Sequence, residues 1–296
     1  MQKILDRIKK GEILLADGAM GTMLFERGLK PGNCPEIFNL NNIEVLKEIA
    51  QLYLDSGADI IQTNTFGASP LKLVSYKLEN RTEEINRNAI IAVKSVVKDK
   101  AYISASLGPS GKLLEPYGEI SKEKMYENFC TQLKTIIEEG VDIIFIETMS
   151  DINEAKIALQ AAKDINNKIT VSVSMVFDKT ERGYFTFMGV GIQKAVDELI
   201  KAGADVIGSN CGYGIFEMVE IAKEFRKCTD FPLIIQSNAG IPKLENDKLI
   251  FPESPEFMAG YIKELIGLKC NIIGGCCGTT PKYTKIFRKV IDETIK

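Results

Sequence analysis

The sequence predicts a (β/α)8 barrel that forms a single domain, residues 1–296. Eight short runs rich in Ile, Val and Leu end in polar or glycine residues, and a helical pattern follows each of them. The apolar runs are nearly continuous rather than alternating, which is typical of parallel strands covered on both faces. At residues 57–59, 140–142 and 203–205, a glycine ends a helical pattern and an Asp leads into the next apolar run. Eight such units in one chain of this length fit the barrel.

Each strand is predicted from an apolar core, and each helix from a longer polar and apolar pattern behind it. The strand cores are ILLA in 12–21, DII in 59–69, YISASL in 101–111, DIIFI in 141–151, TVSVSMV in 169–178, DVIG in 204–214, PLII in 231–240 and NIIGG in 270–280. The helices that follow them are predicted over 42–58, 83–98, 122–140, 152–164, 191–203, 215–227, 254–266 and 281–294.

A doubly wound open sheet is the alternative fold. The even spacing of the eight units argues against it. The turn after the first strand, DGAMGT at 17–22, also lacks the G-x-G-x-x-G pattern of a dinucleotide-binding fold. The chain shows no linker and no low-complexity segment, so one domain is expected.

Composition and charge narrow the class of protein. The net charge is −3 and 26% of residues are charged, which does not suggest binding to nucleic acid or to a membrane surface. The sequence has no run of about 18 apolar residues, so no spanning helix is expected. The N-terminal segment does not have the pattern of a signal peptide. A cytoplasmic protein is therefore expected.

The chain has seven cysteines and no histidine. Without histidine, Ser-His-Asp and Cys-His catalysis and every zinc site that uses imidazole are excluded. A metal site would need thiolate, carboxylate, amide or water ligands. Clustered cysteines in a reducing compartment are more often metal ligands or catalytic groups than disulfides.

Polar residues collect where the predicted strands end, and in a barrel of this class the C-terminal strand ends form the active site. From the first strand to the eighth they are Asp17 and Gly18; Thr63, Asn64 and Thr65; Gly108; Glu147 and Thr148; Ser174 and Met175; Asn210 and Cys211; Asn238 and Gly240; Cys276 and Cys277.

Three cysteines at these ends predict a zinc site. Cys211 ends the sixth strand, and Cys276 and Cys277 end the eighth. Three thiolates suit zinc and leave one coordination position for an exchangeable ligand. Adjacent residues of a regular strand point to opposite faces, so the glycines around the pair are expected to bend the backbone. A disulfide between adjacent cysteines would be strained. The remaining cysteines are expected to be small buried residues: Cys34, Cys130, Cys228 and Cys270.

The segment NIIGGCCGTTP at 271–281, with IGSNC at 207–211, resembles the homocysteine S-methyltransferase family. This family includes the homocysteine-binding barrel of cobalamin-dependent methionine synthase, betaine–homocysteine methyltransferase and enzymes that use S-methylmethionine. The resemblance covers nearly the whole chain and is greatest to the methionine synthase barrel. Its other motifs are LLADGAMGT at 14–22, TNTFGAS at 63–69, GPSG at 108–111, FIETMSD at 145–151 and SNAG at 237–240.

The resemblance implies roles for individual positions. The family's zinc ligands match Cys211, Cys276 and Cys277, with the substrate thiolate in the fourth position. In the substrate-free enzyme, the amide oxygen of Asn238 could take that place. The groups that bind homocysteine match Asp17, Gly18, Ala19 and Glu147, and those that line or brace the pocket match Asn64, Thr148 and Asn210. Simpler roles stay open for three of these residues: turn capping for Asp17, and loop bracing for Asn64 and Asn210.

The family's reaction gives methionine, and it needs no histidine base because a coordinated thiol is already deprotonated. The chain has no cobalamin-binding motif, so a methylcorrinoid donor is expected on a separate protein. Small onium donors such as betaine, dimethylsulfoniopropionate or S-methylmethionine are the alternative. The segment ERGYFTFMGV at 181–190 departs from the family pattern and leaves open a thiol other than homocysteine. A non-catalytic zinc-containing scaffold that docks corrinoid proteins is the alternative from another class.

Overall fold

β-Strands and α-helices alternate along most of the chain. The computed structural model describes residues 2–245 and 248–295. The strands are β1 Leu14–Leu15, β2 Ile60–Gln62, β3 Tyr102–Leu107, β4 Ile143–Met149, β5 Thr170–Met175, β6 Asp178–Thr180, β7 Gly183–Phe185, β8 Val206–Asn210, β9 Leu233–Ser237, β10 Lys243–Glu245, β11 Lys248–Ile250 and β12 Ile272–Gly275. The helices are α1 Ile4–Lys9, α2 Met20–Phe25, α3 Phe38–Asn41, α4 Ile43–Asp55, α5 Pro70–Leu73, α6 Thr82–Val97, α7 Lys122–Glu139, α8 Ile152–Ile165, α9 Ile192–Lys201, α10 Ile215–Cys228, α11 Pro255–Gly267 and α12 Pro281–Ile295.

Eight of the strands form one parallel sheet in the order β1-β12-β9-β8-β5-β4-β3-β2. A single parallel bridge between Ala16 and Ile60 joins its two ends and closes the barrel. Backbone hydrogen bonds from Asp59 to Leu15 (2.8 Å) and from Asp17 to Ile60 (3.1 Å) support the closure. The predicted (β/α)8 barrel is therefore confirmed, with each predicted strand in its place.

The two short sheets beside the barrel are hairpins in the loops after β5 and β9. The strands β6 and β7 pair antiparallel, as do β10 and β11. Both hairpins extend from C-terminal ends of barrel strands. The hairpin 178–185 overlaps the segment 181–190, which departs from the family pattern.

The barrel interior is apolar at one end and polar at the other. Ile60, Phe145 and Ile234 belong to an apolar cluster with Ile4 and Ile8 of α1, so this helix covers the N-terminal end of the barrel. Two residues further along their strands, Gln62, Glu147 and Gln236 point the same way, because side chains alternate between the two faces of a strand. A buried polar layer thus lies beneath the C-terminal mouth.

The interior leaves no room for a side chain at Gly208 in β8. A Cβ atom there would lie 1.8 Å from the carbonyl oxygen of Ile234 in the paired strand β9. We expect Gly208→Ala to lower the free energy of unfolding by about 3 kcal/mol, the upper range for overpacking a core. Gly260→Ala is the matched control. It lies exposed in α11 with open space around it, and should raise that free energy by about 1 kcal/mol. Urea denaturation of both variants measures the difference. Equal stability of Gly208→Ala and the wild type would contradict this close approach of β8 and β9.

Candidate active site

Three cysteine side chains meet at the C-terminal mouth of the barrel. The sulfur atoms of Cys211, Cys276 and Cys277 all lie within 4.8 Å of one another. Zinc bound tetrahedrally with Zn–S distances of about 2.3 Å would place its sulfurs roughly 3.8 Å apart. The three thiols could therefore provide three of the four ligands of a zinc site without a rearrangement of the fold.

The backbone of two separate strands brings these sulfurs together. Cys211 follows β8 with φ 63°, an unusual conformation for a residue with a side chain, and its N–H donates to the carbonyl of Gln236 (3.1 Å). The N–H of Cys276 donates to the carbonyl of Ser237 (2.7 Å). The strand β9, which lies between β8 and β12, therefore holds both segments by its carbonyl groups.

The glycines around the cysteine pair serve two purposes. Gly278 has φ +82°, so it makes the backbone bend that the sequence predicts. Gly275 does not have a positive φ but makes room, because a Cβ atom there would lie 2.2 Å from Oγ1 of Thr279. That hydroxyl and the N–H of Thr279 both donate to the carbonyl of Cys276, at 2.7 and 3.1 Å, and close a tight turn.

Hydrogen bonding among the three thiols lowers the pKa of Cys211 and raises the pKa of Cys276 and of Cys277. Hydrogen bonds from the thiols of Cys276 and Cys277 hold the pKa of Cys211 well below its ordinary value, and the amide of Asn238 adds a further hydrogen bond. The pKa of Cys276 is raised, because its thiol donates to Cys211 and is buried. The side chain of Asn238 thus lies beside the cluster. Its Oδ1 is buried without a hydrogen-bond partner among the described residues.

Two buried carboxyl groups lie across the mouth. Burial raises the pKa of Glu147 to about 7 and that of Asp17 to about 8. Gln62 connects them, because its backbone N–H donates to Asp17 (2.8 Å) and its side-chain amide donates to Glu147 (2.5 Å). The hydroxyl of Ser106 donates to the same oxygen of Glu147. Neither Gln62 nor Ser106 was identified from the sequence.

Asn210 connects Glu147 to the cysteines. Its amide nitrogen lies 2.8 Å from the hydroxyl of Thr148, 3.4 Å from Glu147 and 3.8 Å from the sulfur of Cys276. Its oxygen accepts from the backbone N–H of Thr148 (2.7 Å), a residue with φ 60°. These contacts make Asn210 a brace between the carboxylate and the clustered cysteines.

Asn64 braces a loop. Its amide nitrogen donates to the carbonyl of Pro35 (3.0 Å) and to the side chain of Asn39 (2.8 Å), whose own amide donates back to Asn64 (2.7 Å). Asn39 was not expected from the sequence. Asn64 also forms part of the cavity wall, so its position allows it both to line the pocket and to brace the loop.

A cavity of about 240 Å3 lies between the cysteines and the carboxyl groups. Asp17, Asn210 and Asn238 lie behind its wall rather than in it. None of residues 181–190 lines it, and Phe187 is 82% exposed, so the unusual segment does not shape this cavity. The predicted residues in the wall are Gly18, Ala19, Asn64, Glu147, Thr148, Cys211, Cys276 and Cys277. Thr63, one of the polar strand-end residues predicted from the sequence, also lies in the wall. The wall residues that were not assigned to the site from the sequence are Met20, Gly21, Thr22, Pro35, Glu36, Gln62, Phe66, Ser106, Gln236 and Gly275.

The comparison with known families agrees with this geometry. The family model described as homocysteine S-methyltransferase matches residues 14–291. The chain belongs to the homocysteine S-methyltransferase family. The family expected from the sequence is therefore confirmed.

Relatives and solved structures extend the family assignment. The methionine synthases of Mycobacterium leprae and Mycobacterium tuberculosis are each 29% identical to this chain over 92% of its length. The matched part is 24% of either relative, so the chain spans about a quarter of their length. The homocysteine methyltransferase MmuM of Escherichia coli has the same fold. Its oxidized form has a TM-score of 0.78 at 20% identity, covering 94% of this chain and 95% of MmuM. Its metallated form has a TM-score of 0.77 at 19% identity, covering 94% and 96%.

The helices of residues 2–245 and 248–295 include none that is both long and apolar enough to cross a membrane. The expectation that the sequence has no spanning helix agrees with this finding.

Proposed function

We propose that this family member is a zinc-dependent enzyme that methylates the sulfur of homocysteine to give methionine. The observation that carries the proposal is the cluster of three cysteine sulfurs within 4.8 Å in the wall of a cavity that also contains a buried carboxylate. Cys211, Cys276 and Cys277 would hold the zinc, which when bound would lower the pKa of the substrate thiol and so supply a thiolate at neutral pH.

The chain's own groups bind and orient the substrate. Glu147, in its ionised form, attracts the ammonium group of homocysteine, and Asp17 adds negative charge from behind the wall. Gly18 and Ala19 form the part of the wall beside Asp17 and would contact the amino-acid end of the substrate. Asn210 keeps Glu147 and Thr148 in place. The amide of Asn238 lies beside Cys211, where its oxygen would bind the zinc in the substrate-free enzyme.

In the reaction, a new bond forms between the thiolate sulfur and the methyl carbon. The bond between that carbon and the donor breaks, and its electron pair leaves with the donor. The sulfur starts as an anion, so the step needs no general base, in accord with a chain that has no histidine.

For the donor we propose a methylcorrinoid carried by a separate protein. The methionine synthases match this chain over only a quarter of their length, so the rest of what they contain is not supplied by this barrel. Large apolar side chains are exposed on the loops at the mouth: Phe66, Leu113, Tyr117 and Phe187. An apolar rim favours a protein partner, because a small onium donor needs only the cavity.

The test is metal analysis and sulfur-sensitive X-ray absorption of the purified protein, followed by a methyl-transfer assay. We expect zinc with three sulfur ligands, and four after homocysteine is added. Methionine should form with a methylcorrinoid protein and not with betaine or S-methylmethionine. If protein purified under reducing conditions contains no zinc, the proposed metal site is refuted. Zinc whose sulfur count does not change would favour another thiol or a scaffold. Formation of methionine with an onium donor alone would show that the donor is a small molecule and not a corrinoid protein.

A further inference from the structure

Gln236 is a cavity residue with a distinctive position. It lies in β9, where it pairs with Asn210 of β8 on one side and with Gly274 of β12 on the other. The three clustered cysteines directly follow these neighbouring strands. The backbone carbonyl of Gln236 accepts from the N–H of Cys211, and its side chain is only 2% exposed and lines the cavity.

The side-chain oxygen of Gln236 has no hydrogen-bond partner among the described residues. A buried amide oxygen that stays unpaired lowers stability, so such groups are uncommon in folded proteins. Another unpaired group, the hydroxyl of Ser172 in β5, is also buried but does not line the cavity. Among the described residues with an unpaired buried side-chain polar atom, only Gln236 lines the cavity.

The chemistry of the substrate indicates which of its groups would pair with the side-chain oxygen of Gln236. At neutral pH, the carboxylate and thiolate of homocysteine only accept hydrogen bonds, and its ammonium only donates them. None of the residues that line the cavity is Lys or Arg. An unpaired acceptor in an otherwise acidic or neutral wall therefore complements a cationic donor.

We propose that the side-chain oxygen of Gln236 accepts a hydrogen bond from the ammonium of the thiol substrate. Glu147 supplies the charge that attracts this ammonium, and Gln236 supplies a neutral acceptor that fixes its direction. Gln236 thus selects thiols that carry an amino group. This inference rests on the proposed homocysteine substrate.

The test uses Gln236→Met, which keeps a similar length without the amide. Zinc-loaded wild type and variant are titrated with homocysteine, with 3-aminopropane-1-thiol, which lacks the carboxylate, and with 4-mercaptobutanoate, which lacks the ammonium. We expect the variant to bind the first two about tenfold more weakly and the third unchanged. Its KM for homocysteine should rise with kcat retained, as for an interaction made equally in the ground and transition states.

Thermal unfolding of the ligand-free proteins separates substrate binding from a structural role. Gln236→Met should melt at a higher temperature than the wild type, because an unpaired buried amide is removed. The control Ser172→Ala should also melt higher and bind all three thiols as the wild type does. A lower melting temperature with unchanged binding would show that Gln236 is only structural.

Two further outcomes of the titration would overturn the inference. Weaker binding of homocysteine and 4-mercaptobutanoate, with 3-aminopropane-1-thiol unchanged, would mean that the amide donates to the substrate carboxylate. Equal binding of homocysteine by wild type and variant would also refute it. If the wild type itself does not bind homocysteine, the proposed function fails first, so the two failures can be told apart.

Discussion

Changing either Cys276 or Cys277 to alanine should remove zinc and abolish methyl transfer while the barrel stays folded. With two thiolates left, the site lacks the third strong ligand that the charge and geometry of a zinc centre require. The substrate thiol then keeps an ordinary pKa of about 8.5 and is mostly protonated at pH 7. We expect activity to fall by more than ~100-fold, beyond the loss typical for residues around a metal site.

The fold should survive because neither cysteine belongs to the apolar core. Cys277 is exposed, Cys276 is half-buried, and strand β12 ends before both. Metal content by atomic emission, together with circular dichroism, measures the two effects separately. Cys228→Ala is the control, since this partly exposed residue ends α10 and lies outside the cavity. Full zinc content in either variant of the pair would show that the ligand assignment is wrong.

The fold could be predicted because the repeated pattern of the sequence reflects the repeated unit of the barrel. Each of the eight apolar runs became a barrel strand, and each long helical pattern became a helix. The hairpins after β5 and β9 and the short helices α1, α2, α3 and α5 were not expected. Segments of three to six residues are not stable alone, so contacts with the rest of the protein decide their conformation.

The cysteine cluster was found because adjacent cysteines between glycines are unusual in any strand. Gln62 and Gln236 were missed because parallel strands are covered on both faces, and their sequences do not show which side chains point inward. One signal was present: in IIQ and LIIQS, a single amide follows a run of apolar residues. A polar residue in such a run, two positions before a strand-end Asn, indicates the interior of the mouth.

Changing Glu147 to glutamine should weaken homocysteine binding by about 10- to 100-fold and leave zinc in place. The substitution keeps the shape and removes the charge that faces the substrate ammonium, and a hydrogen bond to a charged group contributes about 1.5–3 kcal/mol. Zinc should stay because the carboxylate contacts Gln62, Ser106 and Asn210, none of which is a predicted zinc ligand. Isothermal titration and metal analysis measure the two quantities. Loss of zinc in Glu147→Gln would instead make the carboxylate a metal ligand.

The pH dependence gives a second test of the same carboxyl group. Its pKa of about 7 means that the ionised form, which binds the ammonium, becomes populated as the pH rises from 6 to 8. Homocysteine affinity of the wild type should therefore increase over this range. Ionisation of the substrate thiol contributes in both proteins, so the difference between wild type and Glu147→Gln isolates the carboxylate. That difference should be small at pH 6 and largest at pH 8.

Stability of the ligand-free protein should change with pH in the opposite direction. The folded pKa of Glu147 is raised above its ordinary value of 4.5 because burial disfavours the charged form. The folded state therefore holds the proton more tightly than the unfolded state. The stabilisation from this group is full below pH 4.5 and is lost as the pH rises through about 7, with a total of about 3 kcal/mol. Glu147→Gln should abolish this loss, so the variant should gain stability over the wild type between pH 5 and pH 8.

Asp17 has a raised pKa of about 8 and gives a dependence of the same sign in both proteins, so only the difference between them reports on Glu147. Urea denaturation at the two pH values measures it. A parallel decline of both proteins would mean that Glu147 is already ionised at pH 5 and not destabilised by burial. A variant that is more stable but binds homocysteine more weakly would show that the charge is kept at this position for the substrate and at the expense of the fold.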